Sequence, residues 1–178
     1  TFYMAGKVNA SYTVLIINQN NSNAYLSSVF KPGIQFKVDN FQAATVNTSL
    51  FKNYSLIILN GVSTLSDALS TSLIQYVNGG GSILNFAPVN TNTSGINNFL
   101  SKCTGCSYTQ FDTAKLNVSS YNKSHELFRD LFVKAPDNID LPLAYKRFNI
   151  SANALSSEQK LFTFSNGDAF LTQFRVGN

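Results

Sequence analysis

Ionisable side chains are scarce in this sequence: it holds one His, two Cys, 13 Lys and Arg and 9 Asp and Glu among 178 residues, with no Trp. At 12% the charged fraction is about half the usual globular share of roughly 25%. Each shortage excludes something. One His and two Cys cannot supply a four-ligand protein zinc site, and nothing calls for another metal or a cofactor. The basic residues are scattered from Lys7 to Arg175, with only Lys146 and Arg147 adjacent, so there is no basic stripe to displace phosphate counterions and nucleic acid is excluded as a partner. No apolar run approaches the roughly 20 residues of a membrane span, and Thr1-Phe2-Tyr3 is not a charged signal-peptide head. With no initiator Met and an ending on Arg175-Val176-Gly177-Asn178, the sequence reads as an excised segment, touching a membrane only through parts of its parent chain.

What is abundant is apolar and neutral polar: 44% apolar residues, with 22 Asn, 21 Ser and 13 Thr. A chain of this size can bury roughly 70% of its unfolded surface, and no low-complexity linker interrupts it, so a single domain over residues 1–178 is expected. Tyr12 to Asn18, Ser55 to Asn60 and Ser82 to Ala87 are apolar on both faces, the pattern of buried parallel strands. Between the last two, Ser63 to Asn78 places Leu65, Leu69, Leu73, Ile74 and Val77 at helical spacing, with Asp67 in the first turn, a Ser or Thr before it as cap, and Gly79-Gly80-Gly81 ending the helix. A strand, helix, strand unit with a right-handed crossover follows. Further helices are expected over Ser22–Phe30 and Ser94–Lys102, and a strand over Ile34–Val38. Beyond Cys103, strands are expected at Leu116–Val118, Leu143–Asn149 and Lys160–Phe164, one or two helical turns over Glu126–Phe132, and an irregular link at Asp137–Pro142. Asn166-Gly167 should form a hairpin turn with both residues suited to positive φ. The fold class is α/β: a flavodoxin-like three-layer sandwich with a mostly parallel sheet, extended by antiparallel strands in the C-terminal third.

Open sheets of this kind bind ligands at the carboxyl ends of their strands. Here that edge is bordered by Asn18-Gln19-Asn20-Asn21, Asn60-Gly61-Val62-Ser63 and Ala87-Pro88-Val89-Asn90. Asn18, Asn20, Asn60, Ser63 and Asn90 are the ligand-binding candidates; amides and hydroxyls can hold a neutral polar molecule but supply no general base. The same residues also serve turns and helix caps. The glycines 79–81 follow a helix rather than precede one, so they are a helix stop and not a phosphate cradle. Cys103-Thr104-Gly105-Cys106 is read first as a possible disulfide in an oxidising compartment and next as two inert thiols. His125 beside Glu126 invites a catalytic reading, but neighbours in sequence diverge on either a strand or a helix. Ser124 capping a helix with Glu126 in its first turn accounts for the pair. Eight Asn-x-Ser/Thr sequences, at Asn9, Asn20, Asn47, Asn53, Asn92, Asn117, Asn122 and Asn149, are read as a surface habit compatible with an extracytoplasmic location.

The stretch Tyr54 to Ala87, YSLIILNGVSTLSDALSTSLIQYVNGGGSILNFA, resembles the class I glutamine amidotransferase-like fold, in the version found in BatA-type, aerotolerance-related bacterial membrane proteins. Thr13 to Asn18 followed by Ala24-Tyr25-Leu26, His125 to Phe132 and Asn166 to Leu171 resemble further segments of the same family. The resemblance implies an amidotransferase-like fold on the periplasmic face of the inner membrane, held there by other parts of the parent protein. A working member places a Cys nucleophile at a sharp strand-to-helix turn, with His and Glu partners. Phe86 stands about where that Cys would fall, no Gly-x-Cys-x-Gly or His-x-Glu is present, and Cys103 and Cys106 lie past the next helix. The resemblance therefore transfers no catalytic residue.

The expected function is a non-catalytic, amidotransferase-like module for interaction or structural support, with other protein domains as partners. A binding domain for a neutral polar ligand such as a carbohydrate is the alternative. A hydrolase using Ser63 or His125 ranks last, since no base lies near any candidate nucleophile in sequence.

Overall fold

The computed structural model describes residues 11–20, 24–33, 35–89, 91–129, 140–153 and 157–177. Along the chain run β1 (Tyr12–Asn18), α1 (Ala24–Val29), β2 (Phe36–Gln42), a 3-10 helix (Thr48–Asn53), β3 (Leu56–Asn60), α2 (Asp67–Asn78), β4 (Ser82–Phe86) and α3 (Ser94–Thr104). They are followed by β5 (Cys106–Asp112), β6 (Leu116–Tyr121), α4 (Glu126–Arg129), β7 (Leu143–Ala144), β8 (Arg147–Ala152), β9 (Gln159–Phe164) and β10 (Ala169–Gln173). The class is mixed α/β, with a parallel sheet and antiparallel strands. Contacts group the chain into two compact units that divide within α3, the first running to Ile96 and the second from Asn97 to Val176.

In the first unit the four strands are parallel in the order β2-β1-β3-β4. The two β-branched runs take the centre, where both faces are covered. Val14, Leu15, Ile16, Ile17, Ile57, Ile58 and Leu59 are each at most 1% exposed. Val14, Ile16 and Ile58 form one side with Leu26 of α1, and Phe30, Phe36, Val38, Leu56 and Leu84 pack around them. Burial of each such side chain contributes about 1.5–3 kcal/mol, so this sheet is the main anchor of the unit. The edge strand β2 carries Lys37 and Asp39, charges that discourage pairing with a further strand.

The helix expected from Ser63 begins later. Its N-cap is Ser66, whose hydroxyl accepts the Leu69 N–H at 3.2 Å, with Asp67 in the first turn. Residues 61–66 are held outside the helix because the Ser63 backbone is engaged elsewhere, as described below. The glycine stop takes the expected form. Gly80, at φ +90°, sends its N–H to Val77 O, and the Gly81 N–H reaches back to Tyr76 O at 2.9 Å, the paired bonds of a Schellman end. The Tyr76 ring lies directly over Gly81, where a methyl group would overlap it, and its hydroxyl donates to Tyr54 O at 3.1 Å. Ile96, Phe99 and Leu100, the apolar residues of α3, are buried.

In the second unit the strands hydrogen-bond with one another, β5 with β8 and the rest in the order β10-β9-β6-β7, all antiparallel. Among the described residues they form these two separate sheets, whereas the expectation was that they prolong the parallel one. The strand expected over Leu143–Asn149 is broken into β7 and β8 because its two halves have different partners, β6 and β5. The β9–β10 turn is correctly located, but only Gly167 takes positive φ, at +86°. Asn166 instead uses its side chain, Oδ1 accepting the Asp168 N–H at 3.1 Å, an Asx-type turn. Arg147 of β8 pairs with Asp112 of β5, donates to Ala114 O at 3.2 Å and stacks 5.5 Å from the Phe164 ring. The Ala114 N–H and then this guanidinium hold the Asp112 carboxyl below the usual range.

Candidate functional site

The carboxyl edge of the parallel sheet is built from the last residues of β1 and β3. Asn18 and Asn60 are register partners on adjacent parallel strands, so their side chains leave the sheet on the same side. The Asn60 amide donates to Asn18 Oδ1 at 2.7 Å, and Asn18 Nδ2 lies 3.5 Å from both Asn40 Oδ1 and Phe41 O. Beside this seam, Gln19 Oε1 accepts the Ser63 N–H at 3.0 Å and lies 3.5 Å from the Ser63 hydroxyl, while Ser63 O accepts the Ile96 N–H at 3.0 Å. Gly95 permits that last approach, since a Cβ there would lie 2.8 Å from Ser63 O. Asn18 and Ser63 are 3% and 5% exposed, so these groups find their partners inside the protein, as buried polar groups must.

Of the five candidates, the structure thus brings Asn18 and Asn60 into contact and ties Ser63 to them through Gln19, which follows Asn18 in the chain. Asn20 is exposed in a bend, and Asn90 lies outside the described residues. Gln19 and Asn40 were not singled out from sequence. Gln19 stands inside the amide-rich run 18–21, a usable signal, whereas the role of Asn40 depends on the register of β2 against β1 and has no local signature. Chemically the edge offers carbonyl and amide groups already engaged with each other, with no titratable side chain among the residues named.

The structure also shows where the strand end that the sequence resemblance marks for a nucleophile lies. Phe86 closes β4, 42% exposed, with its carbonyl accepting the Gly61 N–H at 3.3 Å. Residues 87–93 then separate β4 from α3, where a nucleophile elbow turns directly from strand into helix. Among the described residues, positive φ occurs only at Gly61, Gly80, Gly105, Gly167 and Gly177, so no side chain sits on such a strained turn.

His125 is buried and serves as a helix cap. The Leu127 N–H donates to its Nδ1 at 3.2 Å, so Nε2 carries the proton and donates to Gln159 Oε1 at 2.9 Å. The cap is therefore His125, not Ser124, whose hydroxyl is turned to Asn122 Oδ1 at 2.8 Å. Glu126 points away to an exposed ion pair with Arg175 at 2.9 Å, so the two neighbours form no relay. Cys103 and Cys106 are free thiols, the second buried; burial pushes both above the usual thiol range.

An open groove of about 590 Å³ lies at the opposite, amino edge of the sheet, between the 3-10 helix and the end of α2. Phe51, Lys52, Tyr54, Gln75 and Tyr76 line it, and burial raises the Tyr76 phenol above its ordinary range. Gly79, Gly80 and Gly81, which the sequence marks as a helix stop, lie along it. The 3-10 helix that makes one wall was missed; its signal is Asn47, whose Oδ1 accepts the Ser49 N–H at 3.1 Å as N-cap.

No family model and no curated protein matches the chain. Among solved structures it is similar to a protein of Bacteroides uniformis described as ThuA-like, with a TM-score of 0.63 and 16% identity over 98% of this chain and 80% of that one. It is also similar to a beta-galactosidase from Bacillus circulans sp. alkalophilus (TM-score 0.57, 11% identity over 94% of this chain). A GH42 beta-galactosidase from G. stearothermophilus gives a TM-score of 0.52 at 11% identity over 95% of this chain. The chain spans only 27% and 28% of those two enzymes. At such identities the similarity is one of fold, shared across proteins of unlike description, and carries no activity with it.

Proposed function

We propose that this chain is a non-catalytic glutamine amidotransferase-like module, of flavodoxin-like three-layer build, that serves interaction or structural support. The parent is a BatA-type bacterial membrane protein with this segment on the periplasmic face of the inner membrane. Other protein domains are its partners, and contact with the membrane is made by other parts of the parent. The observation that carries the reading is the state of the carboxyl edge. The polar groups that border it are bonded to one another, the Asn60 amide to Asn18 Oδ1 at 2.7 Å and the Ser63 N–H to Gln19 Oε1 at 3.0 Å, and residues 87–89, which follow Phe86 where an amidotransferase needs its nucleophile turn, enter no helix. The sequence resemblance and the ThuA-like neighbour support the fold; the low charge and Asn/Ser-rich surface support a location outside the cytoplasm.

A carbohydrate or other neutral polar ligand at the same edge would have to displace those internal bonds, which makes it the weaker reading. The test is incubation of the purified chain with glutamine and enzymatic measurement of ammonia. Release no faster than the protein-free blank is expected, and steady turnover proportional to protein would overturn the proposal.

A further inference from the structure

The second unit contains a pair of thiols that the reading above does not use. Cys103 lies in the last turn of α3 and Cys106 is the first residue of β5. Between them Gly105, at φ +70°, reverses the chain, with its N–H on Ser101 O at 3.2 Å and the Ser101 hydroxyl on Cys106 O at 3.3 Å. Three residues of chain span at most about 10–11 Å, and the reversal at Gly105 shortens that span towards the Cα separations of about 4.4–6.8 Å over which disulfides form. The Thr104 hydroxyl, 2.9 Å from Leu100 O, also lies 3.0 Å from Cys106 Sγ. That contact holds the Cys106 sulfur beside Thr104, the residue that follows Cys103 in the last helical turn. The reversal is hard to vary: a side chain at Gly105 would run into the amide of Asn153, whose N–H bonds Gly105 O at 3.0 Å.

We propose that Cys103 and Cys106 are a dithiol that an external disulfide converts into an intramolecular disulfide, fastening the end of α3 to the start of β5. Cys103, the more accessible of the two, loses its proton and attacks one sulfur of the external disulfide, forming a mixed disulfide and expelling one external thiolate. Cys106 then loses its proton and attacks the Cys103 sulfur, forming the Cys103–Cys106 bond and expelling the second. The two protons pass to the two expelled thiolates, so two protein thiols are oxidised and one external disulfide is reduced to two thiols. Because burial holds both thiols protonated beyond the usual pH, exchange is slow at neutral pH and speeds up about tenfold per pH unit until the attacking thiol titrates.

The test uses the reduced, folded chain in a glutathione buffer poised as in an oxidising secretory compartment, with samples quenched in acid and their thiols counted in denaturant. Titratable thiols should fall from two to none and the mass by about 2 Da, with no persistent glutathione adduct. Cys106→Ala should stop at a glutathione adduct on the remaining Cys103. Two thiols that persist, adducts that accumulate on the wild type, or a disulfide-linked dimer would each overturn the proposal. The wild-type measurement needs no variant to fold. The thiols are also independent of the carboxyl edge, so a positive glutamine assay would leave this result standing.

Discussion

Asn60→Ala tests directly whether the amide seam is structural. The substitution removes the donor that sits 2.7 Å from Asn18 Oδ1. Asn18 is only 3% exposed, so the stranded oxygen cannot recover the bond from water. An orphaned buried acceptor costs about 1–3 kcal/mol, and about 2 kcal/mol is expected here, which for a chain of this size lowers Tm by about 4–8 °C. Asn18→Ala removes the other partner and leaves the Asn60 amide, which is half-buried and can be hydrated in part. In the double variant neither group is left to desolvate, so its loss should be smaller than the sum of the single losses by about 1 kcal/mol or more. The assay is urea denaturation of the four proteins with a common m-value. A single-variant loss below about 0.5 kcal/mol, or additivity within about 0.5 kcal/mol, would refute the idea that these two side chains are held for each other.

Two further outcomes follow from the amino edge. Gly81→Ala puts a methyl group into the Tyr76 ring and should cost about 1–3 kcal/mol as an overpacking strain, measurable by thermal denaturation; a neutral result would mean the ring moves aside freely. Burial and then the hydrogen bond from its hydroxyl to Asp39 Oδ2, at 2.8 Å, push the Tyr54 phenol up from 10.0 to about 12. Over that interval the native state keeps a proton the unfolded chain has released, so this contribution to stability is intact below about pH 10 and is lost as pH rises towards 12. Tyr54→Phe should flatten that alkaline fall in denaturation midpoints, and an unchanged pH profile would contradict the assignment.

How far the sequence revealed the fold depends on where each element gets its definition. β1 was read with its observed limits and β3 to within a residue, because an unbroken β-branched run carries its own signal of two-sided burial. The end of α2 was equally plain, since three glycines can hardly continue a helix. Its start is less plain: Asp67 in the first turn with a Ser or Thr before it as cap is met by Ser66, but the range drawn from Ser63 is too long, because the Ser63 N–H and carbonyl are taken by Gln19 and Ile96, partners remote in sequence. β2 was placed two residues early for the same kind of reason, its beginning being set by the pairing of Phe36 with Tyr12. Leu143–Asn149 looks like one strand from sequence because alternation says nothing about a change of partner. At the candidate site, Asn18, Asn60 and Ser63 were legible from their place at strand ends. That two of them would satisfy each other, and that His125 would cap a helix through its ring nitrogen, depends on register and on a contact 34 residues away.

The amide seam has one more consequence. Asn40, Asn18, Asn60, Gln19 and Ser63 hold dipoles but no proton that moves between strongly acidic and strongly alkaline solution, and no net charge for dissolved ions to screen. The hydrogen bonds that close this edge are therefore the same in acid as in alkali and in fresh water as in brine.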